Sequence, residues 1–339
     1  MADSKPQLYE QTSQYQHWRF TRVSLDKLRA LNNKRGIDRV LRGVGEEVHV
    51  DDNQSMLETR ISEATNNLLT PDEELQLVDY YLQMIKVYAQ IYRKNGLLKP
   101  EALDDVKATA INFMKRFYLH NVVFDYPPKS IMLTCFYLAT KVENVFMKID
   151  DFVRPLQTAE TKRGSKVQTK GEDILGLEFV VIQSLQFELA AHHPYRAAYG
   201  LYLDMQSYMA ADLVLLKEVF DRTHHYIDLS LFTDLVFLFQ PSQIAMGAFK
   251  LAAREKDLDI DPYLTQRFEA RSLELLYAVL DGIQDIIGAF KNTSQKEAQA
   301  IDRKLILCRN PEKNPNSQLY KKKVADQGNV PYVSDSDSD

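Results

Sequence analysis

The chain has 339 residues, of which 45% are apolar and 26% are charged, and its formal net charge is −5. This length exceeds what one hydrophobic core usually serves, so we expect two domains with extensions. The acidic balance disfavours a general binder of the nucleic-acid backbone, whose signature is a basic surface. Cys135 lies inside a predicted core helix, so a disulfide is disfavoured and a reducing compartment is favoured.

Residues 1–68 are predicted to form an N-terminal arm and one helix. The arm carries the only tryptophan, Trp18, and the following helix is predicted to be capped by Thr21 or Ser24. Between Gly36 and about Asn67 the helical spacing is lost, which predicts mostly irregular chain. Trp18 has two interpretations. The favoured one is a residue packed against its own domain, and the alternative is a contact to a partner.

Residues 69–190 are predicted to contain five helical elements. Thr70 at the cap and Pro71 at the first position mark the start of the first helix. The third helix, Ile131–Glu143, is apolar on all sides, so it should be the central rod of a helical domain. The other elements are predicted at 101–120, at 149–156 before a solvated loop over 157–172, and at 174–185.

The central helix occurs twice in the sequence. Pro128–Lys141 reads PKSIMLTCFYLATK and Pro241–Arg254 reads PSQIAMGAFKLAAR, with five identical residues and no gap. The same alignment extends, still without a gap, through the preceding helix. Two unrelated buried helices could share such residues, but the extended alignment favours duplication. A second domain is therefore predicted over residues 191–291.

The C-terminal part is predicted to contain one helix, within residues 292–310 and capped by Ser294, followed by a disordered acidic tail over residues 311–339. Ser334 and Ser336 each have acidic residues at positions +1 and +3, which is the pattern of an acid-directed protein kinase. They are predicted phosphorylation sites, and a tail that only aids solubility is the alternative.

Motifs for catalysis, metal or cofactor binding are missing from the sequence. There is no Gly-rich phosphate loop, neither GxGxxG nor GxxxxGK[ST]. The histidine pairs at 192–193 and 224–225 are adjacent, whereas helical metal ligands stand four residues apart. We therefore predict no enzymatic activity, no metal and no cofactor. The central helices are also too short to span a membrane.

Two segments resemble the cyclin box: Ile131–Glu143, IMLTCFYLATKVE, and Leu177–Leu189, LEFVVIQSLQFEL. Within that family the chain is most similar to the cyclin H group. The shared motifs are His17-Trp18, KRFYL at 115–119, HPYR at 193–196 and PSQIA at 241–245. The resemblance covers residues 14–310. It implies an all-α tandem cyclin-box fold of two five-helix repeats with additional N- and C-terminal helices.

The resemblance implies a regulatory subunit without catalysis of its own. The implied partners are cyclin-dependent kinase seven and a RING-finger assembly factor, which together form the CDK-activating kinase within transcription factor IIH in the nucleus. Lys141 and Glu178 match the residues with which cyclins bind the kinase, and Phe187 matches an apolar contact beside them. The cyclin would shift the kinase helix that carries the active-site glutamate. Direct nucleic-acid or membrane binding is not implied.

The chain departs from cell-cycle cyclins in two places. Their substrate-docking run, Met-Arg-Ala-Ile-Leu, is replaced by EELQL at 73–77, so that docking function is not expected. Their Arg–Asp pair is replaced by Glu74 and Lys115, which reverses the polarity and leaves a pairing open. The alternative function from another class is a promoter-binding protein like general factor IIB, which would need a basic DNA face and usually a zinc ribbon.

Overall fold

The structure is a computed structural model that describes residues 8–50, 57–162, 168–208 and 213–328. Regular structure in these ranges is entirely helical, which confirms the all-α prediction. The helices are α1 (Ser13–His17), α2 (Arg22–Val50), α3 (Leu57–Asn66), α4 (Pro71–Lys94), α5 (Pro100–His120), α6 (Pro128–Val142), α7 (Ile149–Lys162), α8 (Gly171–Ser184), α9 (Pro194–Tyr208), α10 (Leu213–Leu231), α11 (Leu235–Leu238), α12 (Pro241–Glu255), α13 (Asp261–Arg267), α14 (Ala270–Ala289), α15 (Gln295–Leu307) and α16 (Gln318–Gly328). None of these described helices is long and apolar enough to cross a membrane.

The chain divides into two compact units. The larger unit comprises the described parts of Met1–Asp26, Asp79–Phe117 and Lys129–Asn292, and the smaller unit takes Lys27–Val78, Tyr118–Pro128 and the chain from Thr293 onward. The division falls within α2, α4 and α5, so it follows packing rather than the order of the repeats. The domain boundaries given above remain predictions.

The helices α6 and α12 have the same length and the same ends. Both span 15 residues and begin with a proline. Each is followed by a non-glycine residue in the left-handed region, Asn144 with φ 57° and Asp257 with φ 56°. The next amide then donates to a carbonyl five residues back, at 2.7 Å after α6 and 2.9 Å after α12. Because left-handed non-glycine residues are uncommon, their recurrence at aligned positions supports duplication.

The central position of α6 is confirmed by its burial, since all residues from 131 to 140 are buried. The Phe136 ring lies 5.2 Å from the ring of Tyr92 in α4 and 5.6 Å from that of Phe152 in α7, centroid to centroid. The Tyr92 hydroxyl also donates to the Phe152 carbonyl. This aromatic cluster fixes two helices of the first repeat, α4 and α7, against the central rod α6.

The second rod, α12, packs against α9, α10 and α14. Phe249 is fully buried in this core. A Cβ atom added to Gly247 would lie 2.6 Å from the Ile283 Cγ2 atom, so α14 approaches the backbone of α12 closely at this glycine. Only glycine permits that separation.

Two predicted helix starts are confirmed by their hydrogen bonds. Before α4, the Glu73 amide donates to the Thr70 hydroxyl at 3.2 Å, and the Thr70 amide donates to the Glu73 carboxylate at 3.0 Å. Ser294 and Glu297 form the same reciprocal pair before α15. Both are capping boxes, which satisfy amides that the helix itself leaves unpaired.

The prediction of irregular chain from Gly36 to Asn67 is wrong in its described part. The helix α2 continues to Val50, and α3 occupies Leu57–Asn66. Glycines in this segment permit close packing, since a Cβ on Gly36 would lie 2.9 Å from Val122 and one on Gly43 would lie 3.0 Å from Pro311. The predicted loop after 156 also differs, because α7 continues to Lys162.

Disorder from residue 311 onward is likewise wrong as far as Gly328. Pro311–Lys313 forms a turn of 3-10 helix and α16 follows it. Pro311, Ser317 and Leu319 are buried. In this smaller unit the Asp125 carboxylate accepts from Arg39 at 2.6 Å and from the Asn310 amide at 2.7 Å. The polar composition of this segment predicted disorder wrongly, because specific contacts order the segment in the folded chain.

Candidate functional site

The structure brings Lys141 and Glu178 together. Lys141 lies in the last turn of α6, Glu178 lies in the middle of α8, and their Nζ and Oε1 atoms are 2.5 Å apart. The lysine side chain is 40% exposed, and its Nζ also lies 4.6 Å from the centroid of the Tyr137 ring. An ion pair this exposed contributes only about 0–1 kcal/mol to folding. Its charges are therefore available for another purpose.

Phe187 lies just beyond α8 and combines exposure with backbone strain. Its side chain is 63% exposed, and Gln186 and Phe187 have φ values of 55° and 62°. The Phe187 amide closes the turn by donating to the Ile182 carbonyl at 3.1 Å. Each left-handed residue other than glycine costs roughly 1–2 kcal/mol. Such strain, together with an exposed aromatic ring, is typical of a binding site rather than of a stabilising element.

Two further apolar residues on α8 extend this surface. Phe179 is 64% exposed and its ring centroid lies 6.3 Å from that of Phe187, and Leu175 is 43% exposed. Buried side chains on α8 are confined to Ile174 and Val181, although most of the helix is apolar. We call the set Lys141, Leu175, Glu178, Phe179 and Phe187 the α6–α8 surface.

Sequence reasoning missed Phe179 and Leu175. The available signal was the run from Ile174 to Ile182, which is apolar at too many positions for a helix that buries one stripe. A largely apolar helix that lies at the surface presents a patch of the kind that other proteins cover.

The second charge at the end of α6, Glu143, has an internal role. The Thr109 hydroxyl donates to the Glu143 Oε1 atom at 2.6 Å and lies 2.7 Å from the His193 Nε2 atom. Burial lowers the pKa of His193 to about 3, so the ring is neutral at physiological pH. Because the single threonine proton goes to Glu143, the His193 Nε2–H group donates to the threonine oxygen.

Trp18 lies inside the larger unit and is only 1% exposed. Its Nε1–H group donates to the Glu188 Oε2 atom at 2.6 Å, and the Arg116 guanidinium lies 4.9 Å from the centroid of the Trp18 ring. The indole is thus unavailable to a partner in this conformation. We do not include it in the α6–α8 surface.

Lys115 and Glu74 each have partners of their own. The Lys115 ammonium donates to the carbonyls of Leu231, at 3.1 Å, and Thr233. The Glu74 carboxylate accepts from the Asn33 side chain at 2.9 Å and from the Val123 amide at 2.8 Å.

A partly buried ionic cluster that the sequence did not indicate is centred on Asp228. Its carboxylate accepts from Lys107 at 2.6 Å and from the Tyr195 hydroxyl at 2.7 Å, and Lys86 lies 3.3 Å away. Burial acts to raise the pKa of Asp228, but Lys107 and Tyr195 outweigh it and the pKa is lowered. The cluster joins α4 and α5 to α9 and α10, so its role is structural. No local motif signals it, because each of its members lies on a different helix.

Two remaining features are metal binding, which was not predicted, and the two C-terminal serines. Within the described ranges no group of three His, Cys, Asp or Glu residues could hold a metal ion. Ser334 and Ser336 lie outside the described residues.

Comparison with protein families identifies both repeats. Residues 99–190 match the cyclin N-terminal domain and residues 193–291 match the cyclin C-terminal domain, which together exceed half of the chain. The chain belongs to the cyclin family. Lys141, Glu178 and Phe187 all fall within the N-terminal cyclin domain.

Three cyclins illustrate the similarity of this chain to known proteins. Cyclin mcs2 of Schizosaccharomyces pombe is 31% identical, with the match covering 94% of this chain and 91% of mcs2. Cyclin CCL1 of Saccharomyces cerevisiae is 33% identical, and the match covers 79% of this chain. The same match covers only 63% of the length of CCL1. Cyclin-H of Xenopus laevis is 30% identical over 72% of this chain and 73% of its own length.

A solved structure with a similar chain is the yeast TFIIK complex of Kin28, Ccl1 and Tfb3. The match has a TM-score of 0.60 and 29% identity, and it covers 82% of this chain and 100% of the matched one. The tandem cyclin fold predicted from the sequence is therefore confirmed.

Proposed function

We propose that this cyclin is an H-type regulatory subunit that binds and activates a kinase of the cyclin-dependent kinase seven type. The similarity to Cyclin-H and to a chain in a complex with Kin28 supports this assignment. Membership of the cyclin family leaves the promoter-binding alternative without an observation in its favour.

The observation that carries the proposal is the α6–α8 surface. It combines a solvent-accessible charge pair with exposed aromatic side chains. When a partner covers such a patch, the aromatic rings supply apolar burial and the desolvated charges supply orientation and specificity. Lys141 and Glu178 would then bind polar groups of the kinase, while Phe179 and Phe187 would contact apolar ones.

Activation follows from which kinase conformation this surface fits. A cyclin shifts the kinase toward its active state only if it binds that state more tightly. The surface would hold the kinase helix that carries the active-site glutamate in the position where that glutamate pairs with the ATP-binding lysine. The chain itself then needs no catalytic residues.

The wider assembly is part of the same proposal. The kinase and this cyclin would join a RING-finger assembly factor to form the CDK-activating kinase within transcription factor IIH. That complex would act in the nucleus, where it would activate cell-cycle kinases and phosphorylate the C-terminal domain of RNA polymerase II.

Charge reversal at Lys141 tests the proposal. We expect Lys141→Glu to weaken kinase binding by about 2–5 kcal/mol, because it leaves buried interfacial charges without partners. Glu178→Lys should have a similar effect. Folding should be unaffected in both variants, since the pair adds little to stability.

Lys256 offers a matched control in the second repeat. Its ammonium pairs with Glu218 at 2.9 Å and its side chain is 36% exposed, close to the exposure of Lys141. Binding would be measured by isothermal titration calorimetry and folding by circular dichroism. A folded Lys141→Glu protein that binds the kinase as tightly as Lys256→Glu does would disprove the role of the α6–α8 surface.

A further inference from the structure

We propose that the N-terminal arm, residues 8–20, positions Phe187 for the kinase. The inference rests on the proposed function, because it assumes that Phe187 lies in the kinase interface. The arm acts through Glu188, the residue that follows Phe187 in the chain.

Both carboxylate oxygens of Glu188 are bound by consecutive residues of the arm. The Trp18 Nε1–H group donates to Oε2 at 2.6 Å, and the His17 Nδ1 atom is hydrogen-bonded to Oε1. These contacts join parts of the chain that are far apart in sequence. The Glu188 side chain, next to Phe187 in the chain, is therefore held at both of its oxygens by one short segment.

The backbone of the same segment is held by Arg116 in α5. This fully buried guanidinium donates to the Glu188 carbonyl at 3.1 Å and to the Gln14 side chain at 3.1 Å. Gln14 in turn accepts from the His192 amide at 2.8 Å and donates to the His192 carbonyl at 3.1 Å. Residues 188–192 thus lie between the arm and α5.

These contacts bear on Phe187 because its conformation is strained and its ring is exposed. Two successive left-handed residues, Gln186 and Phe187, form the turn that leads into Glu188. With 63% of the side chain exposed, burial in the core does not fix the direction of the Phe187 ring. The backbone sets that direction, and the hydrogen bonds to Glu188 hold the backbone in place. Fixing an interface residue before binding raises affinity because less ordering remains to be done.

Trp18→Phe is the decisive variant, since it removes the N–H donor and keeps an aromatic ring near Arg116, while the smaller ring leaves part of the buried indole volume empty. We expect it to weaken kinase binding about fivefold to tenfold, and Phe187→Ala to weaken binding more. In the Phe187→Ala background, Trp18→Phe should change binding by less than about twofold, because the residue that the arm positions is gone. An equal effect of Trp18→Phe in both backgrounds would overturn the proposal.

A second measurement does not depend on the kinase. Amide hydrogen exchange at Phe187 and Glu188 should be at least about tenfold faster in Trp18→Phe than in the unmodified chain. Unchanged exchange would also overturn the proposal. Glu188→Gln keeps an acceptor for Trp18 and should perturb both measurements less than Glu188→Leu. Because Trp18 is the only tryptophan, its fluorescence reports directly on the arm in both Glu188 variants.

Failure of the proposed function gives a different result. If Phe187→Ala and Lys141→Glu both leave kinase binding unchanged, the α6–α8 surface is not the interface and the positioning role falls with it. If those two variants weaken binding and Trp18→Phe does not, only the positioning role is wrong.

Discussion

The two central helices align as copies of one element, but their C-terminal ends have different surroundings. At the end of α6, Lys141 pairs with Glu178 beside exposed aromatic side chains. At the end of α12, Glu255 accepts from the Arg222 Nε atom and from the Tyr226 hydroxyl, both at 2.7 Å and both in α10. The end of α6 thus faces an exposed apolar helix. The end of α12 instead contacts polar side chains of its own repeat.

A second difference lies in the middle of the two rods. Thr134 in α6 aligns with Gly247 in α12. The Thr134 hydroxyl is satisfied within its own helix by the Ser130 carbonyl at 2.9 Å, whereas Gly247 allows Ile283 to approach the helix backbone. Duplication therefore preserved the buried rod and its boundaries, while the packing around the rod diverged.

The largest expected effect tests what the repeats share. Phe136→Ala and Phe249→Ala should each reduce the free energy of unfolding by about 3–5 kcal/mol, because each leaves a cavity at an equivalent place in a rod. Urea denaturation of both variants measures this. Losses below about 1 kcal/mol at both positions would show that these rods are not the cores of their repeats.

The next effect tests where the repeats differ. Gly247→Thr introduces the residue of the first repeat and should destabilise the protein by about 1–3 kcal/mol through overpacking against Ile283. Gly282→Ala on α14 is the control, since its added Cβ would lie 4.0 Å from Phe239, an ordinary contact. Thermal unfolding compares the two. A neutral Gly247→Thr would mean that close approach of α14 is not required.

A smaller effect concerns the residue that joins the repeats, His193. Its folded pKa is lowered from 6.5 to about 3, so the unfolded chain binds a proton that the folded chain does not. The contribution of His193 to the free energy of unfolding is therefore fully present above about pH 6.5, and it is lost as the pH falls toward 3. We expect a loss of about 1 kcal/mol between pH 6 and pH 5, since full linkage gives about 1.4 kcal/mol per pH unit and the ring is only half-buried.

His193→Gln should remove that part of the pH dependence. Urea denaturation at pH 6 and pH 5 would show a smaller difference for the variant than for the unmodified chain. An identical difference in both proteins would show that the pKa of this histidine is the same in the folded and unfolded chain, and that it does not link folding to pH.

The smallest effect is expected outside both repeats. Because α16 extends to Gly328, the tail is best removed by deleting residues 329–339. Kinase affinity should stay within about twofold, since a segment rich in like charges does not bury apolar surface. Phosphorylation at Ser334 or Ser336 would add roughly −1.5 to −2 charges each and should alter, at most, activity or assembly. A tenfold loss of affinity on deletion would make the tail part of the interface.

Much of the fold could be predicted because its signals are local. The starts of α4 and α15 follow from capping residues, and the rods follow from apolar sequence on all sides. Lys141, Glu178 and Phe187 came from the family resemblance, and their role in kinase binding stays a proposal. The exposure of Phe179, whose ring lies beside that of Phe187, could not be predicted from the sequence, because an apolar residue on a helix is normally assigned to the core.

Other features were beyond sequence reasoning because they depend on distant residues. The helical spacing of α2 looked lost after Gly36, and the proximity of Val122 and Pro311 explains the glycines there. The Trp18–Glu188 bond and the Asp228 cluster join segments that no spacing rule connects. These are tertiary contacts, which override local propensity.

The Asp125 contacts of the smaller unit have a consequence for the synthesis of the protein. Arg39 and Asn310 both bind this carboxylate, although one precedes both repeats in the chain and the other follows them. On the ribosome, α2 emerges long before the residue that completes its packing. The smaller unit is therefore completed last, after both repeats have been translated, and until then the part of α2 around Gly43, which packs against Pro311, is open to chaperones or to other chains.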